Sequence, residues 1–198
     1  AVVYFCWFVV ALIYYVLALN APNFDINQHV FTFISGIVEI PGYSFPLLMF
    51  LWLGRKSTST ILYFTSGFAL VIITAIPVSK KMMILAAAMV GRFADVAVFG
   101  VITLYTAELF PTTVRNTAVG SSLAISQLGS ISAPYIVDNL NKFGWYVPST
   151  LCGVAGLLTS ALVLMLPETR GRPLLDTVQQ LTDQKDNRVS LRKCCTFT

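Results

Sequence analysis

Ala107-Glu108-Leu109-Phe110-Pro111-Thr112-Thr113-Val114-Arg115-Asn116 separates two long apolar stretches, 83–107 and 118–137. A charged, proline-bearing turn between runs of this length is how a chain reverses after crossing a bilayer, which takes roughly 20 apolar residues. The same grammar repeats along the chain, with apolar runs at about 1–19, 30–53, 60–78, 83–107, 118–137 and 146–166 and short polar connections between them. With no water in the hydrocarbon to satisfy backbone groups, such runs fold as helices. The expected fold class is therefore an all-α membrane protein of six transmembrane helices over residues 1–172, followed by a polar tail over 173–198.

Composition agrees. Hydrophobic residues make up 56% of the 198, charged residues 11%, and the mean hydropathy is +0.75. A soluble domain of this size carries roughly a quarter charged residues. The first run starts at Ala1 with no initiating Met and no polar flank, so the chain reads as a fragment or an incomplete gene model. No basic segment or cleavage site marks that run as a signal peptide. Cys6, Cys152, Cys194 and Cys195 form neither a disulfide framework nor a metal-ligand spacing, and no cofactor is expected. Short-loop Lys and Arg place Arg55, Lys56, Arg115, Arg170, Arg172 and the basic tail on the cytosolic side, against Lys80, Lys81 and Lys142 outside. The basic balance reflects this asymmetry, and no motif supports nucleic-acid binding.

Polar residues inside apolar helices need a reason, because a charge at mid-bilayer costs roughly 2.5–3.5 kcal/mol. At about 100° per residue, Glu39 shares a face with Thr32, Ser35, Gly42, Tyr43 and Pro46, which suggests a ligand-lined interior; the alternative is a protonated Glu39 or one bonded to a neighbouring helix. Arg92 and Asp95 lie three apart and are expected to pair as a structural, self-neutralised unit; substrate or gating contact is the alternative. Tyr4, Trp7, Phe8, Ala11, Tyr14 and Tyr15 form an aromatic stripe that is either packing or a binding wall. The run 118–137 is rich in small and hydroxyl residues, which lets backbones approach closely and predicts an interior helix. There Gln127 shares a face with Gly120, Ser130 and Pro134.

The turn at 107–116 and the phrase Leu166-Pro167-Glu168-Thr169-Arg170-Gly171-Arg172 resemble the cytoplasmic signatures of the organic cation, anion and carnitine transporter family, a branch of the major facilitator superfamily. Gly54-Arg55-Lys56 is similar to part of the superfamily's D-R-x-G-R-[RK] loop, with Leu51 at the acidic position. Residues 33–41 resemble the family's eighth helix and Gly91-Arg92 its tenth. Cys6-Trp7-Phe8 with Tyr14-Tyr15 resembles the seventh, whose Trp and Tyr face substrate.

The resemblance implies the C-terminal half of a twelve-helix fold, with a missing N-terminal six-helix half as partner. It also implies a small organic ion as substrate and charges at the cytosolic ends that hold an inner gate: Arg55, Lys56, Glu108, Arg115, Glu168 and Arg170. Trp7, Tyr14, Tyr15, Glu39 and Gln127 are the expected substrate contacts. Gln127 stands where cation carriers place Asp and anion or carnitine carriers Arg. The expected function is secondary transport of small organic ions, organic cations first, in the plasma membrane. A truncated, non-transporting membrane protein that regulates a full carrier is the alternative. An intramembrane protease is disfavoured, since the only histidine, His29, lies in a loop and no nucleophile motif accompanies it.

Overall fold

The computed structural model describes residues 2–20, 28–76, 80–144 and 146–166. Six helices occur among them: α1 (Val2–Leu19), α2 (Gln28–Trp52), α3 (Arg55–Ala75), α4 (Lys81–Leu109), α5 (Thr112–Leu140) and α6 (Val147–Val163). No strand occurs among the described residues. The expected runs thus appear as helices with shifted ends. The largest shift is in α5, which starts six residues before the apolar run, directly after Pro111, its extended N-cap. Glu168 and Arg170 lie outside the described residues, as does the tail.

α1, α2, α3 and α4 are each long and apolar enough to cross a membrane. α6 is apolar and 17 residues long, and α5 is diluted by its serines and glycines. Between α2 and α3 the chain turns through Gly54, whose φ of 83° is a left-handed conformation that glycine adopts without a Cβ clash.

α1 is central, packing against α5, α6 and α4; α3 packs on α6 and α4, and α2 leans on α4. Buried apolar residues form two clusters. One holds Ile13, Leu17, Phe31, Leu70, Ile73, Ile84 and Val137; the other holds Trp7, Tyr63, Val98, Val101 and Ile102 toward the opposite end of the bundle. Two seams bring backbones very close. On α3, a Cβ at Gly67 would sit 2.8 Å from both the Gly153 carbonyl and the Leu157 nitrogen of α6. On α5, a Cβ at Gly129 would run into the Phe8 carbonyl of α1.

The expectation of an interior α5 is corrected to one buried seam. Ala118, Ser122, Ser126, Gly129, Ala133 and Val137 are buried, whereas Ala124, Gln127, Leu128 and Ile131 on the other side are exposed. Small residues allow close approach wherever they lie, but only the i, i+4, i+8 row meets α1.

Candidate functional site

The polar face of α2 is first of all a packing seam. Phe31, Ser35, Gly42 and Pro46 are buried, and the Gly42 backbone lies against Val96 and the Phe93 carbonyl of α4. Glu39 occupies the same row and meets α4 at Arg92. The Arg92 Nη2 donates to Glu39 Oε1 at 2.7 Å and Nε to the same oxygen at 3.1 Å. The Tyr14 hydroxyl of α1 donates to that oxygen as well, at 3.0 Å. Arg92 Nη1 donates to the Tyr14 carbonyl at 2.9 Å, and its guanidinium lies 3.6 Å from the Tyr14 ring centroid. One ion pair therefore joins three helices. The Arg92 side chain is 6% exposed and that of Glu39 24%, so the pair is largely withdrawn from water.

This arrangement corrects two expectations. Arg92 does not pair with Asp95. Its forked donors find Glu39 across the α2–α4 seam, in a geometry that a neighbour one turn along the same helix cannot offer as well. Asp95 is 1% exposed, and neither of its carboxyl oxygens has a hydrogen-bond partner among the described residues. Nor is Glu39 a free counter-charge: it is neutralised by Arg92, the bonded-to-a-neighbour alternative.

Directly over this triad lies a cleft of about 220 Å³. Ala11, Tyr14 and Tyr15 come from α1, Tyr43 from α2, Val96 and Phe99 from α4, and Leu123, Ser126, Gln127 and Ser130 from α5. Tyr14 and Tyr15 meet edge to face at 5.3 Å, giving the cleft an aromatic corner. On the opposite wall Ser130 Oγ donates to Gln127, 3.1 Å from its Oε1 and 2.8 Å from its backbone carbonyl. Of the expected contacts, Tyr14, Tyr15 and Gln127 line this cleft, while Glu39 stands behind Tyr14.

Trp7 does not line this cleft. It is fully buried, its Nε1 donates to Thr106 Oγ1 at 3.0 Å, and its ring abuts Phe99 at 5.3 Å. It supports the wall that Phe99 presents. Tyr43 and Phe99 were not singled out from sequence. Tyr43 was legible as a member of the Glu39 face; Phe99 is one apolar residue among many on α4, with no distinguishing signal.

At the end of the bundle carrying the 107–116 turn, Arg55 Nη2 lies 3.0 Å from Glu108 Oε1, with Nε donating at 3.1 Å. The Arg55 guanidinium lies 5.4 Å from the Phe50 ring centroid. Arg115 Nε donates to the Ala107 carbonyl at 2.7 Å, tying the start of α5 to the last turn of α4 across Pro111. Lys56, half-buried, begins α3 beside Arg55. Among the described residues no cluster of His, Cys, Asp and Glu could hold a metal.

Residues 9–180 match the family described as "Sugar (and other) transporter". Human solute carrier family 22 member 16 is 39% identical over 178 residues, which is 90% of this chain and 31% of that protein. Human organic cation/carnitine transporter 2 is 37% identical, over 88% of this chain and 31% of the relative. An organic cation transporter protein of Drosophila melanogaster is 36% identical, over 89% and 32%. The chain spans about a third of the length of these relatives. It belongs to the sugar (and other) transporter family of the major facilitator superfamily.

Proposed function

We propose that this chain is the second six-helix half of a twelve-helix carrier that moves small organic ions, organic cations first, by alternating access. All six helices cross the bilayer, the Arg55–Glu108 end faces the cytosol, and the carrier resides in the plasma membrane. The observation that supports this most is the cleft walled by Tyr14, Tyr15, Tyr43 and Phe99, with Gln127, Ser126 and Ser130 as its polar side. Aromatic faces attract organic cations by about 0.5–2 kcal/mol each, and the hydroxyl and amide groups orient a polar substituent. At about 220 Å³ the cleft is smaller than the ~300–1,000 Å³ of ordinary small-molecule pockets. That size suits one wall of a site completed by another half, near the midplane where the two halves rock. The names of relatives that carry organic cations and carnitine point the same way.

Glu39 acts in this scheme through its link to Tyr14. Substrate that displaces the Tyr14 hydroxyl, or draws Arg92 aside, exposes a carboxylate to a positive group. No bond to substrate is made or broken. Binding stays modest because a carrier that held one state tightly would stall.

The test is uptake by the complete carrier in proteoliposomes of one labelled quaternary ammonium, one organic anion and one zwitterion of similar size. Saturable uptake of the ammonium, and none by residues 1–198 alone, is the expected result. Uptake confined to the anion overturns the cation reading, and robust saturable flux through 1–198 alone overturns the half-carrier reading.

A further inference from the structure

The two apolar clusters meet on α1, at Val9 and Val10, but on α3 and α4 they are set apart by intervals that contain buried polar groups. On α4 one cluster ends at Ala88 and the other begins at Ala97; Arg92 and Asp95 lie between. On α3 the corresponding interval runs from Tyr63 to Leu70 and contains Ser66. A Cβ at Gly91 would meet the Ala69 and Leu70 side chains at 3.7 Å. In this antiparallel contact one further turn along each helix sets Ser66 opposite Asp95. Ser66 is 0% and Asp95 1% exposed, and Ser66 Oγ and both Asp95 oxygens lack hydrogen-bond partners among the described residues. Three orphaned oxygens on facing positions of two packed helices are unusual, because buried polar atoms are nearly always bonded.

We propose that Asp95 is a proton-binding site that couples the carrier to pH by competing with Glu39 for Arg92. A hard cation is a poorer occupant than a proton, since it takes about six oxygens and two side chains supply three. The titratable groups around Asp95 are Tyr43 of α2, Tyr63 of α3, Arg92 of α4 and Cys152 of α6. Tyr14 of α1 and Glu39 of α2 engage Arg92 instead. The ionisable groups of α5, Arg115, Tyr135 and Asp138, lie toward its two ends.

With its proton on, Asp95 is neutral and makes no demand on Arg92, which closes on Glu39: the arrangement in this structure. When the carboxyl releases its proton to water, two carboxylates face one guanidinium. Asp95 lies three residues from Arg92, within reach on the same helix face, and draws it away. Glu39 and the Tyr14 hydroxyl are then free beside the cleft, where an organic cation replaces the lost positive partner. One proton leaves for each cation bound, so the carrier exchanges the two. The coupling is reciprocal: a bound cation favours the deprotonated Asp95.

This inference rests on the carrier reading, and two measurements keep the two separable. In the complete carrier, apparent affinity for tetraethylammonium should rise with pH by up to about tenfold per unit where Asp95 titrates, the limit for one linked proton. Asp95→Asn should flatten that dependence, and Asp95→Glu should keep it with a displaced midpoint. Infrared difference spectra of the purified carrier between acid and alkaline pH should show a protonated-carboxyl band that Asp95→Asn removes. A flat pH response in the unmodified carrier, a response unchanged by Asp95→Asn, or a band that survives it overturns the proposal. Should Asp95→Asn not fold, Asp95→Glu decides: its midpoint and band must both move. Absence of tetraethylammonium binding strikes the carrier reading, and the infrared band then judges Asp95 by itself.

Discussion

Among the described residues the bundle contains two Arg–Glu pairs of nearly equal length and different setting. Arg92–Glu39 closes at 2.7 Å with side chains 6% and 24% exposed; Arg55–Glu108 closes at 3.0 Å with side chains 27% and 17% exposed. The first is bonded to three helices at once and lies between two apolar clusters. The second sits at a helix end, where water competes for both partners. Distance alone does not rank them. What differs is the arginine: the Arg92 guanidinium, left alone among three helices, has nowhere to go, while Arg55 at the rim is rehydrated. The inner pair therefore behaves as a lock, and the outer pair as a latch that a conformational change can open cheaply.

The largest expected effect comes from removing the shared cation. Arg92→Met leaves Glu39 with only the Tyr14 hydroxyl and no counter-charge, takes the side-chain donor from the Tyr14 carbonyl, and should cost about 3–5 kcal/mol, read as a lowered melting temperature of the carrier in detergent. The double variant Arg92→Met with Glu39→Leu removes both charges and should recover most of that loss, since a buried pair replaced by apolar groups is often neutral. A single-variant cost below about 1 kcal/mol would erase the contrast, for that is the worth of a rim pair.

Next in size is Tyr14→Phe. It keeps the ring over the guanidinium and the wall of the cleft but removes the hydroxyl that donates to Glu39. A hydrogen bond to a charged group is worth about 1.5–3 kcal/mol, so the variant should melt lower than the unmodified carrier but above Arg92→Met. Its uptake of a quaternary ammonium should change as well, because the hydroxyl lies between the cleft and the carboxylate. Equal melting and equal uptake would show that Tyr14 is only a wall.

The sequence spoke clearly about some of this and not at all about the rest, for physical reasons. Helix number and order follow from apolar runs whose length lipid dictates, and the 107–116 turn marks itself by its charges. Glu39, Arg92 and Asp95 were conspicuous because charge is costly in an apolar helix. Their partners were not, since i, i+3 spacing speaks only for one helix and nothing local reports that α2 leans its Glu39 row on α4. Trp7 reads as a wall in one dimension and proves to be a buttress behind Phe99. Gly67, Gly153 and Gly156 carry no distinguishing signal in the sequence, and the α3–α6 approach gives them one purpose. Periodicity tells which residues share a face, and only packing tells what that face meets.

The smallest stability effect belongs to the rim. Glu108→Gln removes the charge that Arg55 meets while preserving shape, and a partly exposed pair at a helix end is worth about 1 kcal/mol or less. Melting should hardly move, by contrast with Arg92→Met. In the proposed alternating-access cycle a small energy is nevertheless consequential, since 1 kcal/mol shifts a two-state population about fivefold. If Arg55–Glu108 helps hold the inner end closed, the variant should spend more time open at that end. A cysteine placed at Thr113, exposed beside the turn, should then react faster with a membrane-impermeant thiol reagent applied from the cytosolic side, and Arg55→Gln should reproduce the change without adding to it. A melting loss as large as that of Arg92→Met would make the outer pair a second lock. Unchanged labelling in both variants would leave it a surface contact with no part in the gate.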